Sequence, residues 1–146
     1  MGTSSKIRKV QLKISSHFES VLLGLVSTEP DYKLSLSINK KLRISLKNST
    51  PVIVPGDAGT ELTFSRFTDS AASPHLVYEL TSNRTGKNLL LKKLKNIDFI
   101  FQLINPQNGA ETEATISKLR ETDTISAVFK LDPETIRDKN LHYLIH

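Results

Sequence analysis

The first residue that could do chemistry is an acid in a place where apolar residues are expected. Asp98 lies inside the apolar stretch 97–104 and directly follows a lysine-rich segment. A buried carboxylate is costly unless a cation or a hydrogen-bond donor lies beside it, and buried acids are paired far more often than they react. We therefore expect Asp98 to be partly buried, paired and structural. An enzyme with a small-molecule pocket near Asp98 is the alternative.

Lysines precede this acid and could bind phosphates. The chain has a net charge of +5 and a pI of about 9.5, which permits contact with nucleic acid. The candidate nucleic-acid-binding residues are Lys87, Lys92, Lys93 and Lys95. Two further basic clusters are Lys6, Arg8, Lys9 and Lys13, and Lys40, Lys41, Arg43 and Lys47. If two clusters share a face, they would form a stripe suited to phosphates, although such clusters are usually solvated surface.

Other catalytic or metal-binding patterns are missing from the sequence. The four histidines are scattered, and only His142 and His146 lie four apart, in a stretch that reads as a strand or chain end. The chain has no cysteine, which excludes disulfides, thiolate metal sites and a cysteine nucleophile. The segment 55–60 has two glycines but no following lysine, so it does not match a phosphate-binding loop. We expect no metal and no cofactor.

Hydrophobic periodicity predicts the elements that position these residues. Period-two alternation or short apolar runs predict strands, and a run of helix formers with acids first and bases later predicts a helix over 111–121. The segment 48–60, rich in proline and glycine, is predicted to be a long loop with at most a short edge strand at 52–54. The predicted strands are 10–14, 21–26, 62–67, 76–80, 97–104, 125–131 and the tail 140–146.

The segment 32–42 fits two structures. Its apolar residues alternate strictly on both sides of Asn39-Lys40, which is typical of a β-hairpin. Leu34, Ile38 and Leu42 are also four apart, which places them on one helical face, and Thr28 to Asp31 resembles a capping box. We favour the helix and keep the hairpin as the alternative.

The order of the elements predicts an α+β fold in a single domain, 1–146. Helices separated by antiparallel strands favour a mainly antiparallel sheet with two helices on one face, a ferredoxin-like variant with an extra N-terminal strand. Because small sheets of this kind leave an edge to cover, we also expect a homodimer.

Several segments resemble a bacterial family known by its IPExxxVDY signature, whose function is uncharacterised. The naming motif falls on 91–99, where Asp98, the apolar positions and an aromatic residue are kept, while lysines stand in place of the family's proline and glutamate. The resemblance implies a cytoplasmic bacterial setting and a helix at 32–42, and it implies no reaction. The segments that carry it are 23–27, 31–34, 36–42, 64–67 and 129–133.

The sequence excludes several classes of function, but it contains no motif that identifies one. The longest apolar run, 21–26, is too short to cross a bilayer, so we expect no membrane contact and a cytoplasmic location. We expect a non-enzymatic interaction domain of unknown role. Weak, sequence-independent RNA binding is the first specific alternative, and the small-molecule enzyme is the second.

Overall fold

A computed structural model describes residues 20–144 of the chain. Among these residues eight strands, three α-helices and two short 3-10 helices follow one another along the chain. The 3-10 helices are Asp57–Gly59 and Lys139–Tyr143. The other elements are β1 Ser20–Val26, α1 Asp31–Leu42, β2 Lys47–Pro55, β3 Glu61–Asp69, β4 Val77–Ser82, β5 Arg84–Thr85, β6 Asn88–Leu89, β7 Phe99–Ile104, α2 Gly109–Arg120, β8 Ala127–Leu131 and α3 Pro133–Ile136.

Six strands form one sheet in the order β2-β3-β4-β7-β1-β8, and every neighbouring pair is antiparallel. The elements β1, α1, β4, β7, α2 and β8 follow the β-α-β-β-α-β succession of ferredoxin-like folds. Strands β2 and β3 are inserted between α1 and β4, and they widen the sheet on that side. The predicted α+β fold is therefore confirmed, with the additional strands at this insertion. The predicted strand 10–14 lies outside the described residues.

The sheet carries one hydrophobic core on each face, because alternate residues of its strands point in opposite directions. Leu23 and Leu25 of β1 lie in the core that α1 and α2 cover. The neighbouring residue Leu22 points to the opposite face and lies in the second core. The segment 90–97 covers this second core, together with Leu141 and Leu144 near the C-terminus. The two long helices therefore share one face, as predicted.

Helix α1 resolves the ambiguous segment in favour of the helix. Leu34 and Ile38 are fully buried, whereas Tyr32 and Leu36 are 56% and 63% exposed. Burial therefore follows the helical spacing of four residues and does not follow the alternation of every second residue. The predicted capping box is wrong, because the N-cap residue is Pro30, which has no side-chain acceptor, and Asp31 accepts a hydrogen bond from the Tyr32 N–H next to it in the chain.

Strand β2 corrects the prediction of a long loop over 48–60. The strand runs for nine residues and pairs with β3, with an irregular register between Ser49 and Val52. Its two prolines, Pro51 and Pro55, are tolerated because β2 is the outermost strand on its side of the sheet. Only the turn 56–60 remains outside regular strands.

The tail also differs from its prediction as an edge strand. The segment Lys139–Tyr143 is a 3-10 helix that begins after Asp138, whose carboxylate accepts a hydrogen bond from the Asn140 backbone N–H. Leu141 and Leu144 are three apart, so a 3-10 turn places both of them against the second core. Residues 145–146 lie outside the described part of the chain.

Asp69, at the end of β3, is buried and ties two loops together. Its Oδ2 accepts from the Ser45 backbone N–H at 2.7 Å, and its Oδ1 accepts from the N–H groups of Ala71 and Ala72 at 2.8 and 3.1 Å. Burial alone raises the pKa of this carboxyl, but these donors and the nearby Lys47 together hold its pKa below the usual value.

Candidate functional site

Asp98 lies just before β7 and uses both carboxylate oxygens. Oδ1 accepts a hydrogen bond from Arg84 Nε at 2.6 Å, and Oδ2 accepts one from the Ser27 backbone N–H at 2.9 Å. The Asp98 side chain is 21% exposed and that of Arg84 is 43% exposed. The guanidinium of Arg84 also donates to the Lys95 carbonyl. Asp98 thus joins the end of β1 to the start of β5 at a half-buried position.

An open cleft of about 590 Å³ adjoins this pair, at the beginning of α1. Hydroxyl groups from β3, β4 and the end of β1 line much of it, and Arg84 is the cation among its described lining residues. No histidine or lysine is among the described lining residues, and the acids that line the cleft are Glu29, Asp31 and Asp98. The cleft can hold polar groups, but both carboxylate oxygens of Asp98 already accept hydrogen bonds from the protein.

Asn83 positions the segment that carries three of the predicted lysines. It is fully buried, and its Oδ1 accepts from the Leu91 backbone N–H at 2.8 Å. Its Nδ2 donates to the carbonyls of Leu94 at 3.1 Å and Ile97 at 2.8 Å. One side chain therefore satisfies three backbone groups of the non-regular stretch 90–97. The sequence analysis did not single out Asn83, because a buried asparagine has the same sequence appearance as a turn asparagine.

The four predicted lysines are all exposed but do not form one cluster. Lys87 lies in the turn between β5 and β6, and Lys95 lies beside Arg84, to which it presents its carbonyl. The Lys93 N–H donates to Asp138 Oδ2 at 3.1 Å, and its Nζ donates to the Arg137 carbonyl at 2.9 Å. The structure thus brings Lys93 to the C-terminal segment.

The C-terminal segment supplies further basic residues at this place. Buried Asn140 donates from Nδ2 to the Leu90 carbonyl at 2.8 Å, which fixes the 3-10 helix beside the lysine segment. Lys92, Lys139 and His142 consequently line one pocket. We call the residues Lys92, Lys93, Arg137, Lys139 and His142 the C-terminal basic surface.

These cations have little competition from acids. Among residues 20–144, no ion pair with a carboxylate involves any member of the C-terminal basic surface. His142 Nδ1 lies 2.7 Å from the Lys139 carbonyl oxygen, so this nitrogen acts as a donor. The nearby carboxylate of Asp138 is buried and engaged with backbone N–H groups, while Asp57 lines the pocket from the turn 56–60.

A second basic area lies on the opposite face of the sheet. Lys40, Lys41, Arg43 and Lys118 line a cleft of about 730 Å³ between the ends of α1 and α2. Two acids share this cleft, and one of them, Glu121, forms a 3.1 Å ion pair with Lys41. Because the sheet separates the two areas, these clusters cannot make a continuous stripe. The cluster Lys6, Arg8, Lys9 and Lys13 lies outside the described residues.

Metal binding and membrane crossing find no support in the described part of the chain. Residues 20–144 contain no group of three or more histidine, cysteine or acidic side chains able to hold a metal ion. His75 Nε2 lies 3.9 Å from one carboxylate oxygen of Glu111. Within the same residues, no helix has both the length and the apolar character needed to cross a bilayer.

Comparison with known proteins gave no match. No protein-family model matches the sequence, and no curated protein matches it significantly. The site must therefore be interpreted from its own geometry.

The C-terminal basic surface combines exposed ammonium groups with a pocket, and this combination can bind an anion with an attached ring. The sequence analysis identified Lys92 and Lys93 but missed Lys139, His142, Tyr143 and Asp57 as their neighbours. More than 40 residues separate Lys93 from Lys139 in the chain, so their proximity depends on the fold and no local spacing could reveal it.

Proposed function

We propose that this chain is a non-enzymatic binding domain that holds RNA weakly, through phosphate contacts, on its C-terminal basic surface. The observation that carries the proposal is the meeting of Lys92 and Lys93 with Arg137, Lys139 and His142, although the two groups are far apart in the sequence. Lysine and arginine neutralise phosphates without reading bases, so binding of this kind is largely independent of sequence.

The cations of the C-terminal basic surface are less engaged with acids than those of the second basic area, which lies on the helix face of the sheet. Lys92 and Lys139 are exposed, and their ammonium groups make no hydrogen bond or ion pair with the described residues. On the helix face, Lys41 is paired with Glu121, and Asp123 lies in the same cleft. Asp57 is the one acid among the described residues that line the pocket of the C-terminal basic surface, and it is not ion-paired with them, so a phosphate would have no ion pair to displace there.

Asp98 supports a binding role over an enzymatic one. A catalytic acid or base must be able to exchange a proton with a substrate, and both oxygens of Asp98 already accept hydrogen bonds from the protein. This arrangement fits a structural role in which Asp98 links the end of β1 to the start of β5.

The cellular setting belongs to the same proposal. A cytoplasmic location fits a cysteine-free chain, because reducing compartments do not favour disulfides. The resemblance to the IPExxxVDY family remains a hypothesis, and it adds the expectation of a bacterial source. Neither the α+β fold nor the C-terminal basic surface depends on membership of that family.

Fluorescence anisotropy with a short single-stranded RNA at several salt concentrations tests the proposal. The variant Lys92→Gln/Lys139→Gln keeps polar side chains, with shorter aliphatic stems, and removes two charges from the surface. Each lost contact to a single strand lowers the slope of log affinity against log salt by about 0.7, so the variant slope should be shallower by about 1.4.

The matched control is Lys40→Gln/Lys118→Gln, which removes two exposed charges from the helix face. We expect this control to reduce binding much less, through the change in net charge alone. An equal or larger loss in the control would place the interface on the helix face and contradict the proposal. Absence of binding to wild-type protein at low salt would refute it altogether.

A further inference from the structure

The C-terminal basic surface surrounds a pocket of about 440 Å³. Val54, Leu62 and Leu89 provide apolar wall, and Tyr143 provides an aromatic ring. The rings of His142 and Tyr143 lie 4.1 Å apart between centroids, with an angle of 34° between their planes. A flat ligand entering this pocket would therefore meet aromatic and aliphatic carbon, while Lys92 and Lys139 line the same pocket as cations.

One wall of the pocket is held by a tight turn. The Gly56 N–H donates to the Thr60 carbonyl at 2.8 Å, and the Thr60 N–H donates to the Asp57 carbonyl at 3.1 Å. A Cβ at Gly56 would lie only 2.7 Å from Thr60 Oγ1 and 3.2 Å from Leu62 Cγ. The wall thus depends on a glycine at this position, and it is already formed without a ligand.

Polar side chains in the lining match the edge of a nucleobase. Asn88 contributes an amide that can donate and accept, and Asp57 contributes a carboxylate that can accept from an exocyclic amino group. The Asp57 carboxylate makes no hydrogen bond or ion pair with the described residues. These groups lie among apolar ones, which is the composition of a small-molecule pocket and differs from that of a plain phosphate-binding surface.

Resting on the proposed RNA binding, we propose that this pocket takes one unpaired base of the bound strand. The base stacks against the aromatic side of the pocket, and Lys92 and Lys139 contact the flanking phosphates. Stacking on an aromatic side chain accepts any base, because every base has a π-face, so the pocket is compatible with binding that has little sequence preference.

Two oligomers of equal length and charge separate the pocket from the phosphate contacts. One is a single-stranded RNA, and the other is the same sugar-phosphate backbone without bases. We expect the RNA to bind at least about fivefold more tightly, the lower end of what one stacked base contributes. Equal affinities would overturn the base pocket while leaving phosphate binding intact. Absence of binding by both oligomers would instead refute the proposed function.

The variant Tyr143→Ala locates the effect. We expect its affinity for RNA to fall to that for the abasic backbone, while its affinity for the abasic backbone stays unchanged. The matched control Tyr32→Ala removes an exposed tyrosine from α1, on the other face of the sheet, and should change neither affinity. A preference for RNA that survives in folded Tyr143→Ala would contradict the proposal.

A measurement on the wild-type protein does not depend on the folding of a variant. The chain has three tyrosines, so selective labelling of tyrosine rings gives a simple NMR spectrum. We expect the ring signal of Tyr143 to shift on addition of RNA and to stay in place with the abasic backbone. Identical shifts with both oligomers, or none with RNA, would overturn the base pocket.

Discussion

Removal of the Asp98 carboxylate should destabilise the fold, and the size of the loss shows whether its bond to Ser27 or its ion pair with Arg84 contributes more to stability. In Asp98→Ala the Ser27 backbone N–H loses its acceptor, and Ser27 is only 4% exposed. Leaving a buried donor without a partner costs about 2 kcal/mol. The partner Arg84 is largely solvated and keeps its bond to the Lys95 carbonyl, so loss of its ion pair adds only about 0.5 kcal/mol.

The expected loss for Asp98→Ala is therefore about 2.5 kcal/mol, with the backbone bond as the larger part. For a chain of this size, one kcal/mol changes the melting temperature by about 3 °C, which gives a decrease of about 7 °C. Arg84→Gln removes the exposed ion pair and the exposed bond to the Lys95 carbonyl, each of which contributes about 0.5 kcal/mol, and should lower the melting temperature by about 3 °C.

Thermal unfolding followed by circular dichroism at neutral pH measures both variants against the wild type. Asp98→Asn serves as the matched control, because its amide oxygen can still accept from the Ser27 N–H and should recover most of the loss. Equal decreases for Asp98→Ala and Arg84→Gln would show that the backbone bond does not provide most of the stabilisation. An unchanged melting temperature in Asp98→Ala would refute the structural role of this acid.

Three further predictions concern other parts of the fold. Asn83→Ala leaves the Leu91 N–H and the Ile97 carbonyl without a partner, while the Leu94 carbonyl keeps its bond from the Ile97 N–H. The substitution should cost about 3 kcal/mol, with faster amide hydrogen exchange across 90–97; wild-type exchange there would contradict it. Because the pKa of Asp69 is lowered on folding, its stabilisation is present above the usual pKa and lost as the pH falls through the lowered value. Urea titrations at acid pH should show a smaller loss in Asp69→Asn, and parallel curves would exclude this effect. Finally, light scattering at micromolar concentration should give a dimer mass, with contact through β8, the outermost strand on its side of the sheet that the described residues form. Phe129→Lys, which charges an exposed side chain of that strand, should give a monomer, and a monomeric wild type would end the idea.

The elements that sequence analysis predicted well are those whose burial pattern has a single interpretation. Strand β7 is almost entirely buried and is apolar except for Gln102, and α2 has acids first and bases last. In α1 both periods fit the same residues. The helix forms because Leu34 and Ile38 meet the core, a fact of tertiary packing that the segment alone does not contain.

The incorrect predictions arise where tertiary position overrides local preference. Pro51 and Pro55 argue against a strand in general, but an edge strand tolerates them, and edge position is a property of the whole sheet. The alternating tail became a 3-10 helix because Asp138 caps it and its leucines close the second core. Local alternation could not show that a core was available there.

The candidate site illustrates the same division. Composition and clustering were sufficient to select Lys92 and Lys93, since basic residues in a short segment are visible in any sequence. The partners Lys139 and His142 come from a turn more than 40 residues away and are placed by the buried bond from Asn140 to the Leu90 carbonyl. The pocket between them depends on that contact, so its shape could not be predicted from spacing.

A two-dimensional ¹H–¹⁵N NMR titration of the full chain with a short single-stranded RNA at low salt tests the central claim most directly. The account predicts that the amide signals which shift belong to 56–60, 88–93 and 137–143, the segments that form the pocket and the C-terminal basic surface. Raising the salt concentration should reverse these shifts. Shifts confined to 40–43 and 118–124, or no shifts at low salt, would contradict it.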